Sequence, residues 1–316
     1  MPKKVLVTGA AGFIGSNLAK ACIEKGWLVD GVDDMSNGHT EFIPSGMNFF
    51  MTCDFSAVQV LAKVKSGVYD TVFHLAAVPM VSYSVEHPLK THDINVTKTL
   101  ELMDACKDRV KKFVFASSSS VYGLADKLPT TEDAEKSPKS PYALQKSIIE
   151  DYLKLYYDLY GLDSASLRFF NVFGPHQMGG SPYSTAISAW LTAIKRGQSM
   201  RSDGDGNQSR DLCYVDNVVD VCIRASEHPA PLKADVFNVA CGDRTSNAEI
   251  LQYLKKRYPD AASHDAPWRA GDVMHTQASI EKTKNVLGYK PLVDVWTGVD
   301  KTIEWYESNW DKIKSL

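Results

Sequence analysis

The chain has 316 residues, 44% apolar and 23% charged, with a formal net charge of -3, the profile of a globular chain with two domains or one elaborated domain. Nothing suggests a concentrated basic face for nucleic acid, no apolar run nears the roughly 18 residues of a membrane span, and Met1-Pro2-Lys3-Lys4 begins no signal core. Six cysteines without CxxC spacing and eight histidines without metal-ligand spacing predict reduced thiols, no metal and a cytoplasmic protein.

Val5-Leu6-Val7 reads as a buried strand leading into Thr8-Gly9-Ala10-Ala11-Gly12-Phe13-Ile14-Gly15. An amphipathic helix then runs to about Lys25, with Gly26 as its stop. A second strand, from Trp27 to Val32, ends at Asp33. Together these make a dinucleotide-binding βαβ unit. Its glycines let the backbone approach a pyrophosphate on the helix N-terminus, and its acid takes a ribose hydroxyl. The glycine spacing is GxxGxxG, and Asp33 stands 18 residues beyond Gly15. Asp33 would repel a 2′-phosphate and no arginine follows it nearby, so NAD is expected rather than NADP.

Further strand–helix alternation predicts an α/β fold with a doubly wound parallel sheet of Rossmann type. The strand from Asn48 to Thr52 is followed by Asp54 and Phe55, placed to meet an adenine edge. The strand from Asp70 to Leu75 runs into Ala76 and Ala77, small enough for close approach of a cofactor. His74 within it is expected to be a satisfied core histidine. A helix from about Asn95 to Cys106 precedes a strand, Lys112 to Ala116, that delivers Ser117-Ser118-Ser119-Ser120. Ser140 and Pro141 start a helix as N-cap and first helical residue. That helix should reach Tyr160 and stop at Gly161. Tyr142 and Lys146 are four apart and share a face of it. An ammonium beside the phenol would pull its pKa of about 10 toward neutrality, making a general base. Ile148, Ile149, Tyr152, Leu153, Tyr156 and Leu159 cover more than one stripe. A homodimer through the helices near 95–106 and 141–160 is therefore expected.

Beyond the strand from Ala165 to Phe169 the pattern loosens into a Gly- and Pro-rich stretch from Asn171 to Ser184. Helices are predicted from Ile187 to Arg196 and from Tyr214 to Ala225, and a buried strand from Asp235 to Ala240. A capping box, Ser246 to Glu249, opens another helix; a short helix from Ser279 ends at Gly288, and an aromatic last helix carries Trp305 and Tyr306. Residues 1–170 plus 214–242 then form the NAD-binding domain. Residues 171–213 plus 243–316 form a smaller mixed α/β domain, with substrate in the cleft between.

These landmarks, TGAAGFIG (8–15), Asp33, HLAA (74–77), SSSSVYG (117–123), YALQK (142–146), RFFNVFGP (168–175), GDGNQSRD (204–211), RAGDV (269–273) and LGYKP (287–291), span essentially the whole chain. The sequence resembles an extended short-chain dehydrogenase/reductase of the nucleotide-sugar 4-epimerase group. The resemblance implies Ser118, Tyr142 and Lys146 as the catalytic set. It extends the cofactor contacts to Phe13, Ile14, Asp34, Ser36, Asn37, Gly38, Leu75, Asn95, Ser117 and Phe169. It implies a UDP-sugar diphosphate held by Asn171, Arg210 and Arg269, whose planar forks suit phosphate, and a uridine ribose contact from Asp272. Similar 4,6-dehydratases carry Asp and Glu after the catalytic Ser/Thr, where Ser119 and Ser120 stand here. Without those carboxylates, Ser118, Tyr142 and Lys146 suffice for reversible hydride transfer at one carbinol carbon, the requirement of an epimerase.

In similar 4-epimerases the position of Thr276 gates the pocket beside the sugar C2 substituent. Its small size implies UDP-N-acetylglucosamine/UDP-N-acetylgalactosamine, with or without UDP-glucose/UDP-galactose. A UDP-glucuronate 4-epimerase is the alternative, since ASSSSVYG also resembles that group. A non-catalytic NAD-sensing protein is more remote, because Tyr142 and Lys146 are both kept. Val78-Pro79-Met80-Val81, after HLAA, departs from common patterns near the sugar.

Overall fold

The computed structural model describes residues 2–125, 127–180, 184–267 and 273–316. Two expected substrate contacts, Arg269 and Asp272, lie outside the described residues.

Seven parallel strands make the central sheet. They are β1 (Lys4–Thr8), β2 (Leu28–Asp33), β3 (Phe49–Thr52), β4 (Thr71–His74), β5 (Lys112–Ser118), β6 (Ser164–Phe169) and, later in the chain, Asp235–Val239. From one edge the order is Asp235–Val239, β6, β5, β4, β1, β2, β3, and every pairing is parallel. Crossover direction reverses between β1 and β4, the place where doubly wound sheets bind ligands outside the carboxyl ends of their strands. Both sheet faces are covered. Val5 and Val7 join one core cluster with Leu18 and Val218, while Leu6 joins another with Leu102 and Ile149. Strands buried on both faces read as unbroken apolar runs, which explains why Val5-Leu6-Val7 shows no alternation.

The layer on one face includes α1 (Phe13–Glu24) and the later helix Val215–Glu227; on the other lie α2 (Val58–Lys65), α5 (Lys98–Cys106) and α6 (Pro141–Tyr160), with α3 (Val81–Glu86) and α4 (Pro88–His92) packed against α6. The helix α6 begins and ends as its sequence dictates. Ser140 Oγ accepts from Ala143 N (3.2 Å), Pro141 takes the first turn, and Gly161 closes the helix at φ 69°. The expected helix at 95–106 starts differently. Residues Asp93–Thr97 form a π-helical turn before α5, and this insertion turns Asn95 inward.

Downstream lie α7 (Ala186–Lys195), α8 (Val215–Glu227), α9 (Asn247–Arg257), α10 (Glu281–Leu287) and α11 (Val295–Ile313). Short strand pairs link these helices: Val172–Phe173 with Cys213–Tyr214, Met200–Asp203 with Ser263–Ala266, and Ser209–Arg210 with Thr245–Ser246. The capping box at Ser246 and Glu249 is formed in both directions. Tyr289, Val299 and Tyr306 share one hydrophobic cluster with the sheet residues Val5 and Val7, so the downstream helices pack into the same core. All six cysteines are free. Among the described residues no helix is long and apolar enough to cross a membrane.

Candidate active site

A cavity of about 1340 Å³ runs along the carboxyl ends of the strands, from the glycine turn after β1 to Arg210 and Thr276. Its first end is a cradle that side chains would fill. Gly9 sits at φ 69°, and a Cβ on Gly15 would lie 2.0 Å from the Gly9 carbonyl oxygen, so the first turn of α1 can only be this close to β1 without one. The N-cap of α1 is Gly12, with no side chain bonded to the free amides of the first turn, an arrangement open to an anion. Asp33 closes this end. Its two carboxylate oxygens accept from Ala11 N (3.0 Å) and Met35 N (2.9 Å), and burial raises its pKa. Each oxygen retains a lone pair for a ribose hydroxyl. This cradle fits a dinucleotide.

The second end holds the reactive groups. Ser118 ends β5, and its Oγ accepts from Ser120 N (3.2 Å) and Ser120 Oγ (2.9 Å). Its own proton is left to bond the Tyr142 phenol, a contact that favours the phenolate. Lys146, one turn along α6, donates to the Ala116 carbonyl at 2.7 Å and lies over the rings of Phe115 (4.6 Å) and Tyr142 (5.8 Å). Both groups are buried, and desolvation dominates each. Burial pushes the Tyr142 phenol up to about 12 and the Lys146 ammonium down to about 7. In the chain alone this burial outweighs the expected pull of the ammonium on the phenol. Taking both groups out of water disfavours the ammonium and the phenolate alike, and the Lys146 amine is tied to a carbonyl. Positive charge from a bound ligand would favour the phenolate here.

Every other expected cofactor contact among the described residues lines the cavity, from Phe13, Ile14 and Asp34 through Ser36, Asn37, Gly38, Asp54 and Phe55 to Leu75, Ala76, Ala77, Ser117 and Phe169. Asn95 does not. It is 3% exposed and bonded on all sides within the wall: Val78 N donates to its Oδ1 (2.8 Å), and its Nδ2 donates to Val78 O (3.1 Å) and Gln145 Oε1 (2.8 Å). With both amide hydrogens committed, its side chain has no donor left for a nucleotide. His74 is a satisfied core histidine as expected, between Thr8 Oγ1 and Thr99 Oγ1 (both 2.9 Å), and burial holds it neutral, with a pKa of about 3.

On the substrate side, Ser119, Ser120, Asn171, Arg210 and Thr276 all reach the cavity. Asn171 takes φ 25°, unusual for a residue with a Cβ. Its Nδ2 donates to the Asp211 carbonyl (3.2 Å) and to Thr276 Oγ1 (3.0 Å). The expected diphosphate contact is thus not preformed, since an anion would have to displace one of these acceptors. Thr276 Oγ1 also accepts from Asp211 N (3.3 Å), so its hydroxyl is committed to the wall of the cavity that Thr276 lines. Arg210 is steadied by the carbonyls of Ser209 and Met274 (both 3.1 Å). Beneath it the buried Asp211 carboxylate collects three backbone amides, Cys241, Gly242 and Ala278 (2.9–3.1 Å). Burial still lifts its pKa to about 7.

Several residues escaped the sequence reading. His176 lines the cavity at φ 71°, stacked on Phe42 (4.4 Å) and bonded to Ser16 Oγ (2.7 Å). It immediately follows RFFNVFGP, and that adjacency was the available signal. Phe42 and Arg196 also line the cavity and carry no sequence signal. Behind the serines, Glu150 accepts from Ser117 Oγ (2.6 Å) and makes a two-pronged ion pair with Arg168 (2.9 and 2.7 Å), which also donates to Tyr122 Oη (2.8 Å). Glu150 is one turn beyond Lys146 on α6, a spacing the helix period gives.

The model of the NAD dependent epimerase/dehydratase family matches residues 5–240. The UDP-glucose 4-epimerase of Mycolicibacterium smegmatis is 35% identical over 315 residues, 96% of this chain and 99% of that protein. The UDP-glucuronate 4-epimerase of Thermodesulfobacterium geofontis is 32% identical over 98% of both chains. Among solved structures, the UDP-N-acetylglucosamine 4-epimerase from Methanobrevibacter ruminantium M1, in complex with UDP-N-acetylmuramic acid, superposes with a TM-score of 0.92. It is 35% identical over 98% of this chain and 99% of that one.

Proposed function

We propose that this chain, which belongs to the NAD dependent epimerase/dehydratase family, is an isomerase that inverts C4 of a UDP-sugar through a 4-keto intermediate. One observation carries the choice of reaction. Among the described residues, the carboxylates that line the cavity are Asp33, Asp34 and Asp54, all at the dinucleotide end. Among the described residues lining the Tyr142 end, the protic side chains beside the phenol are hydroxyls and Lys146, and no carboxylate is placed there to eliminate water from the sugar. A single carbinol can be oxidised and reduced there.

In this reading NAD, held by the glycine cradle and Asp33, would supply a reversible hydride acceptor for C4 of the sugar. Tyr142 takes the O4 proton as the carbinol is oxidised and returns it afterwards. Ser118, whose lone pairs are taken by Ser120, turns its proton from the phenol to O4 as the sugar binds and so orients O4 beside Tyr142. Lys146 holds the nicotinamide ribose and, when protonated, adds positive charge near the phenol. Arg210 and Arg269 grip the diphosphate, Asn171 exchanges its Thr276 bond for a phosphate oxygen, and Asp272 meets the uridine ribose. The diphosphate then acts as the pivot about which the 4-keto sugar turns over.

We assign residues 1–170 plus 214–242 to the NAD-binding domain and 171–213 plus 243–316 to the UDP-sugar grip. We also read the protein as a cytoplasmic homodimer. The exposed apolar residues that support pairing are Val85 on α3, Leu89 on α4, and Leu144, Leu155 and Leu159 on α6. We keep the pairing face on the helices near 95–106 and 141–160; α5 buries Leu102, Met103, Ala105 and Cys106 in its own core and turns Leu100, Glu101 and Asp104 outward.

For the substrate we favour UDP-N-acetylhexosamines, with plain UDP-hexoses also accepted, because Thr276 is small. UDP-glucuronate is the second reading, supported by the 32% identity to a UDP-glucuronate 4-epimerase. Incubating the purified protein without added NAD with UDP-N-acetylglucosamine, UDP-glucose and UDP-glucuronate separately, and following products by NMR, tests this. A 4-epimer from the first two is expected; none from any of the three overturns the function. Thr276→Tyr should lower kcat/KM for the acetylated substrate about 10- to 100-fold more than for UDP-glucose. Equal loss on both removes the gate.

A further inference from the structure

The part of the first turn of α6 that does not face the cavity is fastened by buried polar groups that the reaction itself does not use. Tyr142 N donates to Ser84 Oγ (3.1 Å) on α3. Gln145 Nε2 donates to Thr91 Oγ1 (3.0 Å) on α4, and Gln145 Oε1 accepts from Asn95 Nδ2 (2.8 Å) in the π-helical turn. Asn95 continues the chain of bonds to both the N–H and the carbonyl of Val78. Ser84, Thr91, Asn95 and Gln145 are all 3% exposed or less. Val78 and the three residues after it form one wall of the cavity, and Tyr142 and Lys146 form another. Gln145 is the residue that joins the two walls.

We propose that Gln145 is a positioning residue: through Thr91, Asn95 and Val78 it fixes the gap between the 78–81 wall and the Tyr142–Lys146 turn, and so the distance from phenol to reacting carbinol. A buried amide with both ends bonded specifies one arrangement, because slipping by even one bond leaves a buried polar group unsatisfied. An apolar side chain of the same size would keep the packing and lose that register. The π-helical insertion at Asp93–Thr97 serves the same end, since it turns Asn95 between Val78 and Gln145.

The proposal rests on the epimerase reading, and its test separates the two. Gln145→Leu, compared with wild type, should lower kcat about 10- to 100-fold, as expected for a misplaced reacting group, with KM changed by less than about threefold and bound NAD retained. Amide hydrogen exchange should rise in residues 78–97 and 141–146 and stay unchanged in α11, a readout that needs no substrate. Thr91→Val removes one of the two bonds, is far less able to disturb folding, and should show the same pattern at smaller size. If wild type fails to epimerise any UDP-sugar, the function falls, while the exchange result still decides the clamp. Unchanged exchange in 78–97, unchanged kcat, or a parallel loss of kcat, KM and NAD retention would each overturn the proposal.

Discussion

Tyr142→Phe is expected to lower kcat about 100- to 10,000-fold, the range for loss of a general acid–base, while the protein keeps its NAD. The phenol oxygen is the only atom removed, and the ring stays packed in the cavity wall at 9% exposure. The glycine cradle and Asp33 at the far end are untouched, so cofactor content measured after denaturation should match wild type. Lys146 strengthens the argument. Buried, with its pKa lowered to about 7 and its amine bonded to the Ala116 carbonyl, it is held too firmly to replace the missing phenol. Turnover unchanged by this substitution would remove Tyr142 as the base.

The second large effect concerns stability. Arg168→Leu should destabilise the fold by about 3–5 kcal/mol, because it leaves the Glu150 carboxylate buried without its main partner. Glu150 and Arg168 have side-chain exposures of 3% and 4%, and among the described residues Ser117 Oγ (2.6 Å), the more distant Lys136 amine (3.9 Å) and the field of Lys146 would remain for the carboxylate. The double variant Glu150→Leu/Arg168→Leu removes both charges and should recover much of the loss, though Ser117 and Tyr122 then lose partners. Urea midpoints for the two singles and the double give the coupling. A cost for Arg168→Leu within 0.5 kcal/mol of zero, the usual range for a surface change, would contradict a buried pair.

Much of the site was legible in the sequence because its chemistry is local. Gly9, Gly12 and Gly15 answer to one turn, Tyr142 and Lys146 to one helical repeat, and Ser118 to one strand end. The capping box at Ser246 and the Ser140–Pro141 helix start are also local and were read correctly. What escaped were partners made by the fold. Asn95 looked like a cofactor ligand, but a π-helical turn that no residue pattern announced points it at Val78 and Gln145. The Tyr142–Lys146 spacing is kept in the helix, but spacing says nothing about desolvation, which in the chain alone outweighs the attraction between the two groups. Asn171 and Thr276 were expected to face the substrate separately; 105 residues apart in sequence, they are bonded to each other. Arg168 and Glu150 lie on different elements, and only the packing of α6 against β6 makes them a pair.

The central claim is that a hydride leaves C4 and returns to the same carbon without visiting solvent. The direct measurement uses the UDP-hexose that the substrate panel shows to be turned over, deuterated at C4 and incubated with the protein in ordinary water without added NAD. The account predicts that the 4-epimer retains its deuterium at C4, read by NMR and mass. Replacement of that deuterium by solvent hydrogen in the product would contradict it, and with it the roles given to Tyr142, Lys146 and Ser118.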